Sequence, residues 1–105
     1  MYFFPHEKLD CYVCARDVAT WLDGISNWPA GKANLKDQAI RAADSVTLNI
    51  AEGTCRSKKS RAHHYRIAQG SAAELCACLD RLDLEGKEEQ QDKLRRIGAM
   101  LANMR

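Results

Sequence analysis

No apolar run in this chain approaches the roughly 20 residues needed to cross a bilayer, which excludes a helical membrane span. Nor does any segment alternate apolar and polar residues for long enough to propose a strand. A glycine-rich phosphate loop, a nucleophile elbow and a metal-ligand helix motif are all missing. There is no Glu-x-x-His pair, so the ligand set of a di-iron bundle is absent. A non-enzymatic protein is therefore expected, with no catalytic residues, cofactor or metal. The start, Met1-Tyr2-Phe3-Phe4-Pro5, has neither the basic leader nor the apolar core of a secretion signal, and a cytoplasmic location is the default expectation.

Charge of one sign is also scarce in one place. No acidic residue occurs between Thr54 and Ala73, while Arg56, Lys58, Lys59, Arg61 and Arg66 lie there with His63 and His64. Asp80, Asp83, Glu85, Glu88, Glu89 and Asp92 form an acidic zone further on, broken by Arg81 and Lys87. The net charge of +2 is too small to imply a polyanionic partner, but the chain is electrically lopsided.

What is present has helical spacing. The chain has 105 residues, 46% of them apolar and 29% charged, which fits one globular domain. Cys11, Cys14, Val18, Trp21 and Ile25 recur at three- and four-residue steps. Tyr65, Ala68, Ala72, Leu75, Leu79 and Leu82 do the same, and so do Leu94, Ile97, Leu101 and Met104. The turn Trp28-Pro29-Ala30-Gly31-Lys32 separates two helices, because Pro29 lacks an amide proton and Gly31 tolerates left-handed dihedrals. Asn34 is placed to cap the second helix, with Asp37 near its positive end. Gly53 is placed to stop that helix, and Ser57 or Ser60 to cap the third. Helices are predicted near 7–27, 34–54, 58–84 and 88–104. Short connections make neighbours antiparallel, so the fold class is all-α, an up-down-up-down four-helix bundle. Leu9, Val13, Ala19, Leu22 and Leu48 exceed what one apolar seam needs, which points to self-association.

Several segments resemble a bacterial family of four-helix-bundle proteins first known from reading frames within intervening sequences of large-subunit ribosomal RNA genes. The matching residues are Glu7-Lys8-Leu9, then Leu35, Gln38, Arg41 and Ser45. The core Asn49-Ile50-Ala51-Glu52-Gly53 follows, then Arg56 and the Ala-x-Gly-Ser-x-x-Glu-Leu segment from Ala68 to Leu75. Gln69 departs from the pattern, since that position is commonly basic. The family's relatives include accessory proteins of diversity-generating retroelements, which form barrel-like pentamers and engage nucleic acid and a reverse transcriptase. The resemblance implies a cyclic homo-oligomer, most simply a pentamer, with RNA or DNA as a partner. A reverse transcriptase or RNA-processing enzyme is the alternative.

The basic turn is the candidate nucleic-acid-binding site, comprising Arg56, Lys58, Lys59, Arg61 and Arg66. Cations at a helix start oppose the helix dipole unless an anion arrives, and phosphate contacts need only repeated Lys and Arg. Lys8 and Arg105 belong to the same end of the bundle. Gln38, Arg41, Ser45, Asn49 and Glu52 form a polar seam along helix two, with Glu74 opposite. That seam suits a hydrogen-bonded network setting register and oligomer contacts, with Arg41 and Glu52 bonding Glu74 and other subunits. Among the five cysteines, Cys11 and Cys14 have a zinc-like spacing but fall on an apolar seam, while Cys76 and Cys78 lie about 200° apart on their helix. Small buried hydrophobes are the expected role for most of them.

Overall fold

The computed structural model describes residues 1–104 and contains four α-helices: α1 (Asp10–Asp23), α2 (Ala33–Thr54), α3 (Lys58–Asp80) and α4 (Lys87–Met104). A 3-10 turn, Pro5–Lys8, precedes α1. Among the described residues there is no strand. Each helix packs on two neighbours in the cycle α1–α2–α3–α4, so no helix is central. Bonds between helices give the directions. Ser71 reaches Ser45 and Tyr65 reaches Thr54, so α2 and α3 run antiparallel. Gln69 bonds Gly98 and Gln91 bonds Cys76, which sets α4 antiparallel to α3. Cys11 meets Met104, and Cys14 meets the Lys93 carbonyl, which closes the cycle in the same sense.

The apolar stripe expected for the third helix is buried throughout: Tyr65, Ala68, Ala72, Leu75 and Leu79 in α3, joined by Cys78, and Leu82 just past its end. In α4, Leu94, Ile97 and Leu101 are buried and Met104 is half-buried. Alanines Ala39, Ala42 and Ala43 of α2 and Ala68 and Ala72 of α3 all belong to the one buried core. Small side chains let these two helices come close, while each fully buried Leu or Ile contributes about 1.5–3 kcal/mol by leaving water. The stripe of α1 is rotated from expectation. Cys11, Ala15, Val18 and Leu22 point into the core, whereas Cys14, Trp21 and Ile25 are half-buried at its edge. Leu22 is thus a core residue and not surplus, but Leu48 remains 67% exposed.

Boundaries differ from expectation where packing or turn chemistry intervenes. The first helix does not run from 7 to 27. Leu9 is extended (φ −77°, ψ 130°), and this break turns Pro5–Lys8 onto both α1 and α2. At the other end α1 stops at Gly24, whose amide bonds the Thr20 and Trp21 carbonyls, and the chain crosses through Pro29 and left-handed Gly31 (φ 78°). Asn34 is not a cap, since α2 starts at Ala33 and Lys32 holds the cap position without a side-chain bond. Asp37 consequently lies beyond the first turn.

Helix α3 ends at Asp80 instead of 84, because Leu82 and Leu84 are both buried. Two residues i and i+2 on a helix would point about 200° apart. Leaving the helix at Arg81 lets both reach the core, and Gly86 (φ 84°) turns the chain into α4. Gly53 does not stop α2 either. It lies within the last turn, fully packed, and an added Cβ would sit 2.9 Å from Cβ of His64 and 3.0 Å from the Tyr65 ring. Its missing side chain is what lets α3 approach.

Candidate nucleic-acid interface

The turn between α2 and α3 is short: Cys55 closes α2 in a right-handed conformation, and Ser57 opens α3 in an extended one. Ser57 occupies the expected cap position through its backbone, its carbonyl accepting the Arg61 amide at 2.7 Å, with no side-chain cap bond. The antiparallel register puts this turn at the same end of the bundle as the start of α1 and the end of α4. Arg105, assigned to that end from sequence, lies outside the described residues.

The five basic residues divide into two groups. Lys59 and Arg66 are exposed and line an open depression of about 480 Å³ together with Ser57, Ser60 and His63. Lys58 is exposed beside them at the first position of α3, where backbone amides have no helical partner. Arg56 and Arg61 are occupied. Arg56 donates to the Glu52 carboxylate at 2.9 Å, one turn back. That hydrogen bond, with the guanidinium charge behind it, holds the Glu52 carboxyl below the usual carboxylate range and raises Arg56 in turn. Half-buried Arg61 donates to the Arg56 carbonyl at 3.3 Å, and its buried Nε finds no partner among the described residues.

The polar seam of α2 also divides. Its middle is a ladder tying α2 to α3: Ser71 donates to Ser45 Oγ at 2.7 Å, and the Asn49 amide donates to Ser45 at 2.9 Å and 3.2 Å. Oδ1 of Asn49 lies 2.9 Å from Nδ1 of His64. An amide oxygen only accepts, so in this bond Nδ1 of His64 is the donor. Thr54 and Tyr65 share a 2.7 Å hydroxyl bond below. Ser71, His64, Thr54 and Tyr65 are absent from the sequence-derived seam, and only an antiparallel alignment of α3 against α2 would have brought them to it. The seam's upper end does not form the expected pairs. Gln38, Arg41 and Glu74 line an open groove with Ser45 and Ser71, with no Arg41–Glu74 ion pair among the described residues, and Glu52 is taken by Arg56. Gln69, at the position commonly basic in the resembling family, donates to the Gly98 carbonyl at 3.1 Å and joins α3 to α4.

His63 and His64 meet edge-on with ring centres 5.4 Å apart but serve different surroundings, His63 lining the basic depression and His64 bonding Asn49. The cysteines are all free, and they are less uniform than expected. Cys11 and Cys78 are buried, with thiol pKa values pushed up by that burial. Cys14 and Cys76 are half-buried, and Cys55 is exposed at the end of α2. Among the described residues no three His, Cys, Asp or Glu side chains are grouped to hold a metal ion. No helix among them is long and apolar enough to cross a membrane. Asp80, Asp83, Glu85, Glu88, Glu89 and Asp92 are exposed around the α3–α4 connection, at the end remote from the basic turn.

A family model described as 23S rRNA-intervening sequence protein matches residues 7–103. No curated protein matches the chain.

Proposed function

The chain belongs to the 23S rRNA-intervening sequence protein family, and from that premise we propose that it is a non-catalytic bundle that binds structured RNA or DNA through phosphate contacts at its basic end. The observation that carries this reading is the convergence of Lys59 and Arg66 on one open depression at the start of α3, within a stretch free of acidic residues. Free helix amides and two cations with no ion pair among the described residues favour an anion there, and neither needs a particular base sequence. Lys58 extends the surface, and Arg56 and Arg61 support it while engaged with Glu52 and the turn backbone. A cyclic homo-oligomer, with a pentamer as the expected state, would repeat this surface as a ring. Leu48 on α2 and Ile67 on α3 are large apolar residues left exposed for such a contact.

The test is binding of fluorescently labelled structured RNA and duplex DNA at several salt concentrations, with protein whose mass has been measured by light scattering. Affinity should fall steeply with salt, and replacing Lys58, Lys59 and Arg66 by Glu should flatten that slope by about 0.9 per lost phosphate contact. Unchanged affinity in the triple variant would retire the site assignment, and a monomeric mass would retire the ring.

A second reading is a scaffold that docks an RNA-processing or reverse-transcribing enzyme. The segregated acidic end favours it, since an exposed acidic surface attracts a basic partner. Absence of nucleic-acid binding at low salt, with binding to such an enzyme that is lost when Glu88 and Glu89 become Lys, would select this reading over the first.

A further inference from the structure

The first four residues expose more apolar surface than any other segment: Tyr2 is 75%, Phe3 48% and Phe4 55% exposed. A contiguous exposed aromatic patch on a small domain is a candidate contact surface, since water gains nothing by it. Its rings are held in place. The Phe4 amide donates to the Glu7 carboxylate at 2.6 Å, and Pro5 sets the start of the 3-10 turn. Tyr2 meets Phe4 edge-on at 5.2 Å, Phe4 stacks parallel to His6 at 6.1 Å, and His6 meets half-buried Tyr12 at 4.6 Å. The arm is thus a ladder of rings rooted in the fold. One cation belongs to it, with Nζ of Lys8 lying 4.8 Å from the Phe3 ring centre.

We infer that this aromatic arm is a stacking platform for unpaired bases of the nucleic acid held by the basic turn. The inference rests on the nucleic-acid reading given above and adds the class of ligand. Flat, exposed rings beside a cation are what single strands and loops use, because every base has a π-face and the linking phosphate needs only a positive charge. Bases inside a duplex are already stacked and offer no free face. The bundle register brings the arm to the same end as Lys58, Lys59 and Arg66, so a stem on the basic turn and its loop on the arm would engage one end of the molecule. An apolar partner such as a membrane surface would use the same rings, but it would leave unused the open basic depression lined by Lys59 and Arg66 at that end.

Two labelled probes separate the cases: an RNA hairpin with a loop of unpaired adenines, and a blunt duplex of the same stem. In the double variant Tyr2→Ser, Phe3→Ser, hairpin affinity should drop by between about 5-fold and about 150-fold, the range for losing one stacked base, while duplex affinity stays unchanged. Both rings are exposed, so the thermal midpoint should not move, and Phe3→Trp alone should retain hairpin binding. Equal affinity of the double variant and the wild type for the hairpin would overturn the inference and leave the phosphate reading standing. Loss of binding to anionic phospholipid vesicles with hairpin binding intact would overturn it in favour of a membrane contact. Wild-type protein that binds neither probe would overturn both readings.

Discussion

Replacing Gly53 by Ala in α2 should destabilise the protein, although helix propensity alone says the opposite. Ala is favoured over Gly in a helix interior by about 1 kcal/mol. At this position the added carbon would lie 2.9 Å from Cβ of His64 and 3.0 and 3.1 Å from two carbons of the Tyr65 ring. Carbon atoms rest at about 3.5–4.0 Å, so something must move by roughly half an ångström. Cβ of His64 is fixed to the α3 backbone and cannot swing aside. The Tyr65 ring is 1% exposed, and its hydroxyl is tied to Thr54. Overpacking of this kind costs about 1–3 kcal/mol, and parting α2 from α3 would also strain the ladder above. Once the propensity gain is subtracted, overpacking alone leaves a net loss of about 0–2 kcal/mol, to which the strained ladder adds. Gly70 is the internal control, since a Cβ there meets nothing within 4 Å. Gly70→Ala should therefore stabilise by up to about 1 kcal/mol. Urea unfolding followed by far-UV circular dichroism, at one fixed protein concentration, measures both. Thermal midpoints should separate in the same sense, by about 5 °C per kcal/mol in a domain of this size. If Gly53→Ala is as stabilising as Gly70→Ala, the close-approach explanation is wrong.

Glu52→Gln should release Arg56 from its ion pair and add a phosphate contact, steepening the salt dependence of nucleic-acid binding by about 0.9; an unchanged slope would show that Arg56 does not reach the ligand. The same pair has a pH signature. Because Glu52 titrates below its ordinary range, its small contribution to stability is present above that range and lost as pH falls through the depressed value. The Gln variant, compared by urea midpoint at neutral and acid pH, should lack this part of the acid loss. Tyr65→Phe should cost about 0.5–1.5 kcal/mol by urea unfolding, at the low end because Thr54 keeps its 2.7 Å bond to the Ile50 carbonyl. Iodoacetamide labelling read by mass spectrometry should modify Cys55 first, Cys14 and Cys76 more slowly, and Cys11 and Cys78 last, since burial both hides the last two and disfavours their thiolates. Labelling of Cys11 at the rate of Cys55 would contradict the packing of α1.

Local spacing was enough for the helix count, the bundle class and most of the buried stripe of α3, Cys78 apart, because i, i+3 and i+4 positions share a face whatever lies opposite. The acid-free basic run and its place at a helix start were equally legible, being properties of consecutive residues. Spacing alone did not settle the phase of α1, where Leu22 and Ala15 displaced Trp21 and Cys14 from the core. It also could not show that Gly53 is a contact point and not a stop, or that Leu82 and Leu84 would end α3 early. The candidate site was legible as a set of charges but not as a surface. Lys59 and Arg66 face one depression while Arg56 is held by Glu52, and Ser45 and Asn49 find Ser71 and His64 on another helix. The physical reason is the same in each case. A residue's own helix determines the direction of its side chain, but its partner depends on the register and rotation of a neighbouring helix, and only the packed core decides those.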